Sequence, residues 1–279
     1  MTVKIVTDST SDISPQVAKE LGITVVPLYV HFGTDVYRDG VDLNPAEFYQ
    51  KLKTSKVLPT TSTISPGQFT ELCDELSKQT DEILAITISS KMSATYDAAL
   101  QGSELRKRKD CRVEVIDSRL VSMGLGLAAI IAAQEAKAGA NLEQIIDIVK
   151  KALPKIHIRI AFDTLEYLRK GGRIGRAEAF LGTLLNVKPI LTMKDGELAP
   201  VARERTRPKA IEHLRRFAAG FTNIREMAVV HANDPEAATA LARQIGSILP
   251  EDRVYISAVG SVVGTHAGPG TLAVCLLEG

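Results

Sequence analysis

The segment Leu84-Ala-Ile-Thr-Ile-Ser-Ser-Lys-Met-Ser-Ala-Thr-Tyr96 ends an apolar, β-branched run in a cluster of hydroxyls. The run up to Ile88 reads as a strand, and a helical pattern begins around Ser93. In an open α/β sheet, ligands occupy the crevice beyond the carboxyl ends of the strands. The first turn of the next helix offers unpaired N–H groups and a positive dipole end. Ser93 then has two readings. It is an N-cap serving its own helix, or it joins the backbone in holding a carboxylate or a phosphate.

Three further segments could carry chemistry. Thr60-Thr61-Ser62 sits in the Pro-bounded, hydroxyl-rich stretch Leu58–Gly67, which reads as an irregular loop with either turn chemistry or ligand contacts. Gly264-Thr-His-Ala-Gly-Pro-Gly270 holds three glycines and a proline in seven residues, the mark of a special backbone. A histidine held there, His266, reads as functional, whereas His31, His157, His213 and His231 lie in periodic segments and read as structural or surface residues. Leu165–Gly175 places Arg169, Lys170 and Arg173 around a glycine pair, and Arg203, Arg205 and Arg207 follow a hairpin signal. Solvated charge is the default for both clusters, and a phosphate or an acidic partner is the alternative.

Several chemistries lack their equipment. There is no Walker loop, and Gly124-Leu-Gly126 lacks the third glycine of a dinucleotide fingerprint. No HExxH, GxSxG or paired CxxC occurs, so metal hydrolysis and the α/β-hydrolase elbow lose support. Cys73, Cys111 and Cys275 are odd in number, widely spaced and without metal-ligand spacing, which points to a reducing, cytoplasmic compartment. Cys73 and Cys275 read as packing residues. An enzyme using Ser93 as nucleophile and His266 as base, a hydrolase or acyltransferase, would lack a visible third member. A small phosphate-ligand binding protein is a further alternative from the helix terminus alone.

The elements that must position these residues follow from periodicity. With 279 residues, 45% hydrophobic and 24% charged, the chain has ample core for one large or two ordinary domains. A net charge of +1 gives no field for nucleic acid. The longest apolar run, Leu125 to Ala133, is too short to cross a bilayer, so an integral membrane protein is not expected, and the N-terminus reads as a strand and not as a signal peptide. Strands are expected at Val3–Val6, Ile23–Val30, Ile83–Ile88 and Arg112–Ile116. Helices are expected from Pro15 to Leu21, Pro45 to Leu52, Pro66 to Ser77, Ser93 to Arg108, Val121 to Ala138 and Leu142 to Leu153. Such alternation implies a parallel sheet with helices on both faces. Beyond Pro154 the pattern changes: strands at Ile156–Phe162, Val187–Met193, Glu197–Arg203, Met227–His231, Val254–Ala258 and Leu272–Leu277, with a hairpin at Lys194-Asp195-Gly196. Helices are expected at Thr164–Arg169, Pro208–Ala219 and Pro235–Ile248. The fold class is therefore α/β in two domains: a three-layer α/β/α unit over residues 1–154 and a two-layer unit with a mixed sheet over 155–279.

These residues also resemble a known family. Asp8-Ser9-Thr10, Tyr37-Arg-Asp-Gly40, Thr61-Ser62, Ser89-Ser-x-x-Ser-x-Thr95, Asp117-Ser118, Tyr167–Gly175, Asn186-Val-Lys-Pro189, Arg205-Thr206 and Thr265-His-x-Gly-Pro-Gly270 stand in the order of the DegV family, across essentially the whole chain. That resemblance implies a bacterial fatty-acid-binding protein, like the FakB subunits of fatty acid kinase. It implies two α/β domains, a buried acyl tail and a carboxylate held near the domain junction. A separate kinase subunit would phosphorylate the bound carboxylate with ATP, and the acyl phosphate would enter phospholipid synthesis through an acyltransferase at the membrane surface. By motif, Thr61, Ser93 and His266 would bind the carboxylate, with Ser62, Lys91, Thr95 and Thr265 as head-group neighbours. Arg173 and Arg205 would handle the partner or the phosphate. The chain itself would be a carrier with no catalytic residue, metal or cofactor, the fatty acid being its bound ligand. Where the family usually has Ser-Ser-Gly-Leu-Ser-Gly-Thr, this chain has Lys91, Met92 and Ala94; Ala94 would constrain a close backbone approach beside Ser93.

Overall fold

The computed structural model describes residues 2–180, 187–246 and 254–279. β1 (Lys4–Asp8) leads into helix α1 (Pro15–Leu21), which the Ser14 side chain caps and a left-handed Gly22 closes. β2 (Ile23–Val26) returns beside β1 in parallel.

The run expected as one strand over Ile23–Val30 then divides between two sheets. Pro27 has no N–H for a ladder, and the Leu28 N–H turns aside to donate to Ser9 Oγ at 3.1 Å. β3 (Tyr29–Phe32) starts a small antiparallel sheet with β4 (Asp35–Arg38). After helix α2 (Pro45–Thr54), whose capping box joins Asn44 and Glu47, β5 (Thr60–Ser62) completes that sheet by pairing with Tyr29–His31. The expected irregular loop at 58–67 is corrected accordingly. Its β-branched threonines find strand partners far away in sequence, which no local pattern reveals.

α3 (Pro66–Leu76), β6 (Glu82–Thr87), α4 (Thr95–Leu105) and β7 (Arg112–Asp117) complete a parallel sheet in the order β2-β1-β6-β7. Strand alternation assigns its two faces. Val6, Ile83 and Ala85 pack with Phe69, Cys73 and Ala99 of α3 and α4. Ile5, Leu84 and Ile86 pack with α5 (Met123–Lys137) and α6 (Leu142–Ala152). The three layers match the expected α/β/α arrangement.

β8 (Ile156–Ala161) opens the second sheet, followed by the short helix α7 (Glu166–Lys170). β9 (Lys188–Lys194) and β10 (Glu197–Glu204) form the expected hairpin. Both turn residues, Asp195 and Gly196, have positive φ, as a two-residue turn of this hand requires. α8 (Arg207–Ala219), β11 (Ile224–His231), α9 (Pro235–Ile245), β12 (Val254–Ala258), α10 (Ser261–Ala267) and β13 (Leu272–Glu278) follow. The sheet order is β10-β9-β8-β13-β11-β12, with β11 and β12 parallel and the other pairs antiparallel. The last residues expected in the Pro235–Ile248 helix, and Asn186 of the family motif, lie outside the described residues.

Leu272, Val274 and Leu276 of β13 face the core under α8 and α9. Ala273, Cys275 and Leu277 face the other way, into a core continuous with Ile5 and Leu84 of the first sheet. α5 joins the two. Over Met123–Ala133 it is apolar and buried around its whole circumference, and it packs on β1 and β6 as well as on β8, β11 and β13. The three cysteines are buried and free. Among the described residues, no helix is long and apolar enough to cross a membrane.

Candidate functional site

The site begins with a cavity of about 330 Å³ between the carboxyl ends of the parallel strands and the inner face of the mixed sheet, within the roughly 300–1,000 Å³ usual for small-molecule sites. Along β8 and β13 the walls are apolar: Ile158, Ile160, Phe162, Ala273 and Cys275 all line it. At the end near β5 and α10 the lining changes to Thr61, Ser62, Thr63, Ser93, Arg173 and His266.

Three elements bring these polar residues together. β5 supplies Thr61 and Ser62. The loop between β6 and α4 supplies Met92, Ser93 and Ala94. The third, α10, is a helix where a special loop was expected over Gly264–Gly270. Its glycine and β-branched residues hide the helical signal, and the special backbone begins only at Gly268 and Gly270, both with positive φ.

Thr61 Oγ1 and His266 Nε2 lie 2.9 Å apart. Burial, and then the Arg173 charge, push the imidazole pKa down to about 4, so the ring is neutral near pH 7. Its Nδ1 is buried without a hydrogen-bond partner among the described residues. Gly171 makes room for the ring, since a Cβ there would come within 2.1 Å of Nδ1.

Ser93 stands one residue before the N-cap position of α4. The N-cap of α4 is Ala94, with no side-chain cap bond. Ser93 Oγ instead accepts the Thr95 N–H at 3.3 Å and shares a 2.8 Å bond with the Thr95 hydroxyl. Thr95 is also 2.8 Å from the Thr63 hydroxyl, so a chain of three hydroxyls reaches the cavity beside the Thr61–His266 pair. The Ser93 hydroxyl is thus bonded toward Thr95 while the imidazole is bonded toward Thr61. That division is unlike a nucleophile bonded to its base.

Arg173 points its Nε at the Met92 carbonyl, 3.2 Å away, and a terminal nitrogen at the Gly171 carbonyl, 2.8 Å away. It ties the rim of one half to the other. Ala94 has φ −76° and ψ 8°, a backbone any residue adopts, so it imposes no strain beside Ser93. Lys91 is exposed and Arg205 is exposed, and neither lines the cavity. Thr265 is buried, but its hydroxyl donates back to the Ser261 carbonyl at 2.8 Å within α10. Of the expected site residues, the structure places Thr61, Ser62, Ser93, His266 and Arg173 on the cavity, with Thr95 behind them through its bonds to Ser93 and Thr63, and sets Lys91, Thr265 and Arg205 apart.

Two residues escaped the sequence reading. Thr63 lies just past the hydroxyl triplet singled out in the loop. His31, read as structural or surface, shares a 2.8 Å bond with Ser62 Oγ; only the β3–β5 pairing, absent from any local pattern, could have joined them. Asp8, from the Asp8-Ser9-Thr10 motif, accepts the Thr10 and Ile88 N–H groups. It holds the ends of β1 and β6 together beneath the cavity, although burial pushes its pKa up.

The arrangement offers an apolar chamber with neutral hydrogen-bond donors and a guanidinium at one end. Comparison with known proteins agrees with the resemblance. A family model described as "Uncharacterised protein, DegV family" matches residues 2–279. A DegV domain-containing protein of Caldanaerobacter subterraneus is 38% identical over 280 residues, covering 99% of each chain. Protein DegV of Bacillus subtilis is 34% identical over 280 residues, also covering 99% of each. Among solved structures, a DegV family protein from Thermus thermophilus described for its fatty acid binding superposes with a TM-score of 0.91 at 35% identity, covering 100% of both chains. DegV from Bacillus subtilis, described as a fatty acid binding protein, gives 0.89 at 32% identity over 100% of both. The chain belongs to the DegV family.

Proposed function

We propose that this protein is a carrier of a long-chain fatty acid, with the acyl tail in the apolar cavity and the carboxylate at the Thr61–Ser93–His266 end. The observation that carries this reading is the polarity gradient of the cavity: aliphatic walls along β8 and β13, hydroxyls and a neutral imidazole at one end. The fatty acid binding of structural relatives supports it. Residues 1–154 and 155–279 serve as the two domains between which the ligand lies.

Magnitudes divide the work. Burying a tail of about fifteen methylenes yields roughly 12 kcal/mol gross, at about 0.8 per CH₂. Hydrogen bonds to a charged carboxylate contribute about 1.5–3 kcal/mol each and must offset the loss of water around that charge. Tail burial supplies affinity; Thr61, Ser93 and His266 orient the head.

The carrier presents the carboxylate to a separate kinase subunit in the cytoplasm. That subunit forms the acyl phosphate with ATP, for use by an acyltransferase at the membrane surface in phospholipid synthesis. Arg173, at the rim, would meet the head group or its phosphate, and the exposed Arg205 would meet the partner. A thermal-shift comparison tests the ligand class. Oleate is expected to raise the melting temperature, and inorganic phosphate or sugar phosphates to leave it unchanged. Stabilisation by phosphates alone would favour a phosphate-ligand protein.

A further inference from the structure

We propose that Asp39 and Asp12 are positioning residues of this site: side-chain carboxyl groups from the N-terminal half of the chain whose oxygens cap α10 and so hold His266 opposite Thr61. α10 has seven residues, and Gly260 at its N-cap has no side chain to satisfy the first N–H groups. Distant residues satisfy them instead. Asp12 Oδ1 accepts the Gly260 N–H at 2.8 Å. Asp39 Oδ1 accepts the Ser261 N–H at 2.8 Å and the Ser261 hydroxyl at 2.6 Å. Asp39 Oδ2 is buried beside these bonds without a hydrogen-bond partner among the described residues.

Both carboxylates close on one backbone position. A Cβ added at Gly260 would lie 3.0 Å from Asp39 Oδ1 and 3.2 Å from Asp12 Oδ1. Asp12 is itself held by Ser122, whose hydroxyl donates to Oδ2 at 2.5 Å. Ser122 adopts φ 56° and ψ −149°, a conformation that non-glycine residues keep only where their surroundings over-determine it. The strain is spent on fixing a carboxylate that lies behind the cavity wall and not in it.

From this anchor, rigidity reaches the imidazole. The Thr265 hydroxyl bonds back to the Ser261 carbonyl. Tyr49 packs against the middle of the helix, where a Cβ at Gly264 would come within 2.7 Å of its hydroxyl. A helix this short moves as one piece, so displacing Gly260 and Ser261 displaces His266.

The test uses the full chain and two readouts: the ring ¹⁵N resonances of His266, and oleate affinity measured by displacement of a fluorescent fatty acid. Asp39→Ala, folded by circular dichroism, is expected to move the His266 resonances and weaken oleate binding by about tenfold. Asp39→Asn keeps an oxygen acceptor and is expected to stay within about threefold of the parent with its His266 resonances in place. Should Asp39→Ala fail to fold, Gly260→Ala, which pushes both carboxylates from the helix end, decides in its stead by the same shift. Unchanged His266 resonances in the folded variant overturn the proposal. The affinity arm rests on the fatty-acid reading and the resonance arm does not, so a parent protein that binds no oleate would fail that reading while leaving the anchor testable.

Discussion

Thr61 and His266 stand 205 positions apart in sequence, yet the hydroxyl and Nε2 meet at 2.9 Å. β5 brings one and α10 the other, and the pair closes the polar end of an otherwise aliphatic cavity.

His266 gives a signed pH dependence. Its folded pKa, about 4, is below the ordinary 6.5 because of burial and then the Arg173 charge. Stability from the neutral ring is therefore fully present above pH 6.5 and is lost as pH falls through about 4. Melting temperatures between pH 7 and pH 4 are expected to fall less steeply in His266→Gln than in the parent. A bound carboxylate should also raise the His266 pKa, since an opposite charge favours the cation; NMR titration with and without oleate measures it.

Asp12 has the opposite sign. Burial, partly countered by the Ser122 and Gly260 hydrogen bonds, pushes its carboxyl up to about 8. A raised carboxyl pKa contributes stability that is present below the unfolded value of 3.8 and lost as pH rises through about 8. Asp12→Asn, neutral at every pH, should flatten the stability profile between about pH 4 and pH 8 in denaturant titrations, the range between the unfolded and folded values. An unaltered slope would remove Asp12 as its source.

Ser93→Ala separates head-group fixation from helix capping. Because Ala94 is the N-cap of α4, losing the hydroxyl is expected to cost folding stability only about 1 kcal/mol. Oleate affinity should fall by about ten- to a hundredfold, the equivalent of one charge-assisted hydrogen bond of about 1.5–3 kcal/mol. A large stability loss with unchanged affinity would return Ser93 to a structural role.

The tail path can be blocked from within. Ala273 of β13 lines the cavity together with Thr271, just before the strand, and Cys275. Ala273→Phe should fill the chamber and abolish oleate binding while the protein remains folded. Oleate bound at the parent affinity would move the tail elsewhere.

How far the sequence could reach is visible in particular elements. Caps and punctuation foretold α1, where Ser14-Pro15 and Gly22 carry the boundaries, and the Asp195-Gly196 hairpin announced itself by turn chemistry. Apolar runs foretold β8 and β13 as strands. What stayed hidden was non-local. The Ile23–Val30 run splits at Pro27 because β3 has partners in β4 and β5, and Thr61 becomes a strand residue for the same reason. α10 was missed because Gly264 and its β-branched neighbours are poor helix formers, and residues from the other half of the chain supply its N-terminal bonds. Motif order pointed to Thr61, Ser93 and His266, but nothing in sequence tied Ser93 to Thr95 and Thr63.

The most direct test is to extract the purified protein with organic solvent and identify the released lipid by mass spectrometry. A fatty-acid carrier is expected to release a long-chain fatty acid at close to stoichiometric amount. Its absence, followed by failure to take up any fatty acid after delipidation and reloading, would contradict the account.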